Sequence, residues 1–233
     1  MRKQKHGVTE WQVDKAWAGY TLFCPQMISP KQLEGRKESY VYLLDMKGDI
    51  VHHWVIPGVV KLHGELLPNG NLLCSVDEKH VKNPLGLVFA VSSIMELDWD
   101  SNVVWRYEDP YHDCHDRCRL RNGNTLYMRY VPLSAEKQAK VQGGMPGTEH
   151  QGQMFTLVLT EITKEGQIVD EMDLSEALDP EVDVILPYSN RELWPGLNSI
   201  EEMPDGKIIS TSYNLSACYI WDRQNKTVAW RYG

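Results

Sequence analysis

The chain has 233 residues, with 32 acidic and 24 basic side chains, a formal net charge of -8 and five cysteines. This acidity speaks against a nucleic-acid or anionic-membrane surface, and no stretch approaches the ~20 apolar residues of a membrane span. An odd number of cysteines without a regular framework fits free thiols in a reducing compartment, so a cytoplasmic location is expected.

Residues 1–18 read as an N-terminal extension, and the basic residues 1–7 are not followed by the apolar run of a signal peptide. The first repeated element is Leu43-Leu44-Asp45-Met46-Lys47-Gly48-Asp49-Ile50-Val51, two short apolar runs around a tight turn. It returns around Asp98, Thr163 and Asp222, the last copy with one extra turn residue, and Trp54, Trp105 and Trp230 close the second strand of three of these copies. Between them stands a second element: Leu67-Pro68-Asn69-Gly70-Asn71, then Leu120-Arg121-Asn122-Gly123-Asn124, then Met203-Pro204-Asp205-Gly206-Lys207. Asn-Gly and Asp-Gly between apolar runs predict hairpins, because both central residues must tolerate positive φ. Residues 134–141 and 175–178 read as short helices in loops.

Hairpin alternating with hairpin predicts an all-β fold, a β-propeller of four-stranded antiparallel blades. Four outer and three inner hairpins make about three and a half blades, and propellers close with roughly four to eight. The open sheet edges imply a longer ring, or a second chain or homo-oligomer that completes it.

The inner turns align residue by residue, which places Leu62, His115 and Asn198 seven residues before the turn Asn or Asp. These positions begin the innermost strands and face a central channel, whereas His63 is one residue out of register and points the other way. Two polar residues at equivalent positions, His115 and Asn198, suggest a site on the axis; solvation of the funnel is the bland alternative. Asp116 either fixes the ring of His115 or bonds backbone at the strand start. The run Tyr111-His112-Asp113-Cys114-His115-Asp116-Arg117-Cys118-Arg119 holds metal-ligand residue types, but its spacing lacks a second distant pair, so no metal is assigned. Trp194 precedes Asn198 and can stack on a ligand ring or plug the blade interface. Gln142-Gly143-Gly144-Met145-Pro146-Gly147-Thr148-Glu149-His150 reads as a mobile loop and carries His150. No phosphate loop and no Gly-x-Ser-x-Gly elbow is present, and nothing calls for a cofactor.

Several stretches resemble the arylsulfotransferase family, the PAPS-independent, arylsulfate type. They are Gly19-Tyr20-Thr21-Leu22-Phe23-Cys24-Pro25, the run from Tyr42 to Trp54, Glu96-Leu97-Asp98-Trp99-Asp100, and Glu108-Asp109-Pro110-Tyr111. His115-Asp116, Asn122-Gly123-Asn124-Thr125-Leu126-Tyr127, the loop from Val141 to Glu149, Asn198-Ser199-Ile200 and Trp230-Arg231-Tyr232-Gly233 continue the likeness. The resemblance implies a six-bladed propeller that moves a sulfuryl group from a phenolic sulfate ester to a phenol through a transiently sulfated histidine. It implies small aromatic esters and phenols as partners, His115, Asp116 and Asn198 as catalytic residues, and His63, Arg119, Trp194, His150 and Tyr213 as substrate-binding. The sequence departs from the family pattern in three places. Cys114 replaces the first His of a His-His-Asp motif, Gly196 replaces the His of Trp-x-His-x-Asn-Ser, and Tyr213-Asn214 stand near a usual Arg-Asn. The family's later Gln-His-Asp motif, which by the resemblance carries the sulfated histidine, does not occur before Gly233, so the resemblance implies that His115, Asp116 and Asn198 line the donor site and a missing piece supplies the nucleophile. A non-catalytic module binding a small anion or a protein, or a hydrolase using His115, are the competing expectations.

Overall fold

The computed structural model describes residues 8–25, 38–78 and 84–233, so residues 1–7 of the expected N-terminal extension lie outside the described residues. The chain is all-β, built of antiparallel blades of the β-propeller type, and divides into two compact units. The first comprises Met1–Lys79 with Ile94–Arg106, and the second comprises His80–Ser93 with Tyr107–Gly233.

In the first unit, β1 (Thr21–Phe23), β2 (Ser39–Leu44) and β3 (Ile50–Ile56) form a three-stranded sheet. A four-stranded meander follows in the order β4 (Val59–Leu66), β5 (Leu72–Asp77), β6 (Ala90–Leu97), β7 (Val103–Arg119). Alternating apolar residues of these strands, among them Val41, Trp54, Leu72, Val76 and Leu97, make one core. The indole of fully buried Trp54 donates to the Asp98 carbonyl at 3.0 Å.

β7 runs on into the second unit. There it neighbours β8 (Thr125–Pro132), and the meander continues to β10 (Phe155–Ile162) and β11 (Ile168–Asp173). A last meander runs β13 (Leu197–Glu202), β14 (Ile208–Ser212), β15 (Ala217–Asp222), β16 (Thr227–Tyr232). β9 (Gly143–Met145), in the connection from β8 to β10, and β12 (Ile185–Asn190), in the connection from β11 to β13, pair in parallel. The helices fall where the sequence placed them: α1 (Ala135–Lys140), capped by the Ser134 hydroxyl, and α2 (Leu174–Ala177), capped by Asp173. β10 is buried along its whole length, at the centre of the second core.

The turns are built differently from the type I′ expectation. Only the glycine of each inner turn has positive φ: Gly70 at 86°, Gly123 at 89° and Gly206 at 81°. The residue before it does not, and the glycine N–H donates back to the first turn residue, as in Gly70 N to Leu67 O at 2.9 Å. This is a type I turn followed by a left-handed glycine, with Pro68 and Pro204 at the position where a φ near -65° fits. Asn or Asp is selected by its side chain, which accepts from the N–H two residues on: Asn71 N to Asn69 at 3.0 Å and Asn124 N to Asn122 at 2.9 Å.

All three inner strands carry a β-bulge seven residues before the turn Asn or Asp. Lys61 pairs with Ser75 and Gly64 with Cys74, so Leu62 and His63 are extra. His112 pairs with Arg129 and Arg117 with Tyr127, so β7 bulges across residues 113–116. Leu197 pairs with Ser212 and Ser199 with Thr211, leaving Asn198 over. A bulge breaks strict alternation and re-aims its side chains. The rule that turned His63 away from the site therefore does not apply there.

Candidate functional site

The site is built on the bulge of β7. His115 keeps 14% of its side chain exposed, while Asp113 beside it is fully buried. One carboxylate oxygen, Asp113 Oδ1, accepts from the His115 backbone N–H at 2.7 Å and from ring Nδ1 at 2.7 Å. Nδ1 therefore carries the proton and Nε2 holds the free lone pair. The ring of Phe89 packs on His115 with centroids 4.5 Å apart, and the Phe89 carbonyl is fixed by Cys114 N at 2.9 Å. Behind Asp113 stands the buried hydroxyl of Tyr130, and the half-exposed Tyr213 also feels that carboxylate.

Asp116 takes the second of its two expected roles. Its Oδ1 accepts from Arg117 N at 2.9 Å and its Oδ2 from Ile200 N at 2.8 Å. It clamps the β7 bulge to β13, so His115 and the exposed Asn198 lie on two strands joined by one carboxylate. The fixing of the His115 ring belongs to Asp113. The bulge brings the two side chains together, which strand alternation alone does not predict.

Other expected residues stand elsewhere. Trp194 is fully buried in the second core, its indole donating to the Asp183 carbonyl at 2.7 Å, so it presents no face to a ligand. His150 uses both ring nitrogens within the fold, Nε2 on Leu85 O at 2.8 Å and Nδ1 on Glu192 at 3.2 Å. The loop that carries it is held by Arg191, which donates to Glu149 at 2.7 Å and to the carbonyls of Gly143 and Val141. Arg119 donates to the Gly123 carbonyl of its own turn at 3.2 Å. His63 is exposed in the bulge of the first unit. Gly196 has φ of 66°, and a Cβ there would stand 2.7 Å from Asn214 Nδ2 and 3.1 Å from the Tyr213 ring. A side chain here would be strained at this φ and would require Asn214 to shift. Among the described residues, no three His, Cys, Asp or Glu side chains are grouped to hold a metal ion.

The two histidines of the bulge are driven in opposite directions. Burial holds His112 down at about 4, as a neutral imidazole with Nδ1 3.3 Å from the Met128 carbonyl. Burial also works against the charge of His115, but the Asp113 hydrogen bond and the charges of Asp113 and Asp116 outweigh it and raise its pKa. Tyr213 is pushed up to about 12, mainly by burial and then by Asp113 and Glu192. For His112, the unfolded chain takes up a proton near pH 6.5 while the folded chain refuses it until about 4. Its contribution is complete above pH 6.5 and lost as pH falls toward 4, on the order of 3 kcal/mol. His115 has the opposite sign: its contribution is present below 6.5 and lost as pH rises through its raised value. Urea unfolding at a series of pH values is expected to show a steep loss of stability between pH 6.5 and 4. Stability constant across that window would contradict the burial of a neutral His112.

A family model described as "Arylsulfotransferase (ASST)" matches residues 23–233. The chain belongs to the arylsulfotransferase family. No protein with a curated description matches it. Among solved structures, a Bacteroides caccae protein of unknown function is similar at 14% identity, over 84% of this chain and 54% of that one, with a TM-score of 0.46. Hsv2 of Kluyvelomyces marxianus is similar at 12% identity, over 83% and 59%, with a TM-score of 0.35. The Dos1 propeller is similar at 10% identity, over 85% and 56%, with a TM-score of 0.32. The chain spans little more than half the length of each. These likenesses are weak, and the family match alone carries the assignment. No helix among the described residues of this arylsulfotransferase-family chain is long and apolar enough to cross a membrane.

Proposed function

We propose that the chain transfers a sulfuryl group from a phenolic sulfate ester to a phenol at the bulge of β7, with His115 as the reacting residue. The observation that carries this reading, within a chain of this family, is the His115 ring held at Nδ1 by buried Asp113, with Nε2 left to act. In the first half-reaction Nε2 attacks sulfur, the sulfur–oxygen bond of the ester breaks and the phenolate leaves. In the second the acceptor phenol attacks sulfur, the sulfur–nitrogen bond breaks and the phenolic proton goes to solvent. Dividing the transfer in this way makes two easier steps of one. Asn198, exposed on the strand that Asp116 joins to the bulge, is the donor that takes charge developing on the sulfate oxygens.

Gly196 favours a second reading, a non-catalytic module binding a small anion or a protein, because a glycine in a strained, left-handed conformation stands where the resemblance places a histidine. Release of phenol from a chromogenic aryl sulfate separates these readings. Transfer predicts release that rises with a phenolic acceptor and yields the sulfated acceptor. Release indifferent to acceptor indicates hydrolysis, and well-folded protein without release leaves the binding module.

A further inference from the structure

We infer that Asp113 is the positioning residue of this site and acts through His115, fixing Nε2 as the atom that meets the substrate. The catalytic consequence rests on the transfer reading above; the tautomer does not.

Three observations point the same way. Asp113 is fully buried, yet one of its oxygens serves the His115 backbone N–H and ring Nδ1 together, each at 2.7 Å. The ring therefore follows the backbone of the bulge. Its second oxygen is buried without a hydrogen bond of ordinary geometry, and the buried Tyr130 hydroxyl is the donor beside it. A buried carboxylate is costly unless it is paired and hydrogen-bonded. A site that keeps one here, on the unreactive side of a part-exposed imidazole, orients the ring and supports positive charge on it as Nε2 forms a bond.

Asp113, Cys114, Asp116 and the buried Arg117 share its strand, with neutral His112 three residues back. Phe89 covers one side without charge. Tyr130 of β8 and Tyr213 after β14 face Asp113, and Glu192 faces Tyr213. Asp113 is the group among them that touches the ring nitrogen.

The test is a long-range proton–nitrogen NMR titration of the full chain labelled with nitrogen-15 histidine, with His115 assigned by substitution. The expected result is the Nδ1–H tautomer in neutral His115 and a midpoint above the ordinary imidazole value. In Asp113→Asn the midpoint drops by about one unit or more, as loss of one charged hydrogen-bond partner implies. Acceptor-dependent release falls by about 10²–10⁴-fold with KM little changed. An Nε2–H tautomer in the wild-type chain would overturn the proposal, as would an unchanged midpoint in a folded Asp113→Asn chain. The wild-type spectrum decides the matter even if that variant does not fold. If the tautomer and midpoint are as expected and the wild-type chain releases no phenol, the transfer reading fails and the positioning role stands.

Discussion

Trp194→Ala is expected to lower stability by about 3–5 kcal/mol, the range for truncating a fully buried aromatic. The indole fills the second core among Phe155, Leu193 and Leu197, and its N–H satisfies the Asp183 carbonyl. Removal leaves a cavity and a carbonyl without that donor. The same Asp183 accepts through its carboxylate from Tyr219 and Arg231, both at 2.8 Å, so the loss falls on a connected polar network. Urea unfolding reads the effect, with Trp194→Phe recovering most of the volume but not the hydrogen bond. Affinity for an aryl ligand in the folded fraction should not change, because no face of Trp194 reaches the surface. A folded variant with a wild-type midpoint and weakened aryl binding would return Trp194 to the binding site.

Asp116→Ala is the second large loss, about 3–5 kcal/mol. Two buried backbone N–H groups, those of Arg117 and Ile200, lose their acceptor at once. An unsatisfied buried donor costs about 1–3 kcal/mol, more where the lost partner was charged. Asp116→Asn keeps one acceptor oxygen and turns an N–H toward the other donor, so it recovers part of the loss. The effect extends to function, because Asp116 joins the strands of His115 and Asn198. At temperatures where both variants remain folded, turnover should fall with stability. Unfolding midpoints and phenol release on the same preparations check both. Wild-type stability in Asp116→Ala would show that the clamp is not formed.

The repeats made the fold legible. Each turn announces itself through residues that local physics requires, a glycine that takes positive φ and an Asn or Asp that caps its own turn. The blades follow from their alternation. The bulges were not legible, because an extra residue leaves no mark in a hydrophobic pattern. Strict alternation therefore has no warrant at these positions, His63 among them. His115 was singled out by alignment of the turns, which does not depend on register. Asp113 was not singled out, because its contact with His115 is made inside the bulge and sequence adjacency favoured Asp116. Trp194 sits in a loop, and loop sequence does not distinguish a plug from a platform. Gly196 reads as a lost histidine in sequence; the structure adds the physical reason, a left-handed backbone pressed against Asn214 and Tyr213.

The central claim is that His115 does the chemistry. The most direct measurement is acceptor-dependent release of phenol from an aryl sulfate by the wild-type chain and by His115→Ala, at matched folded fraction. Transfer through His115 predicts turnover in the first and its loss in the second, by about 10²-fold or more. Equal turnover in the two chains would contradict the account.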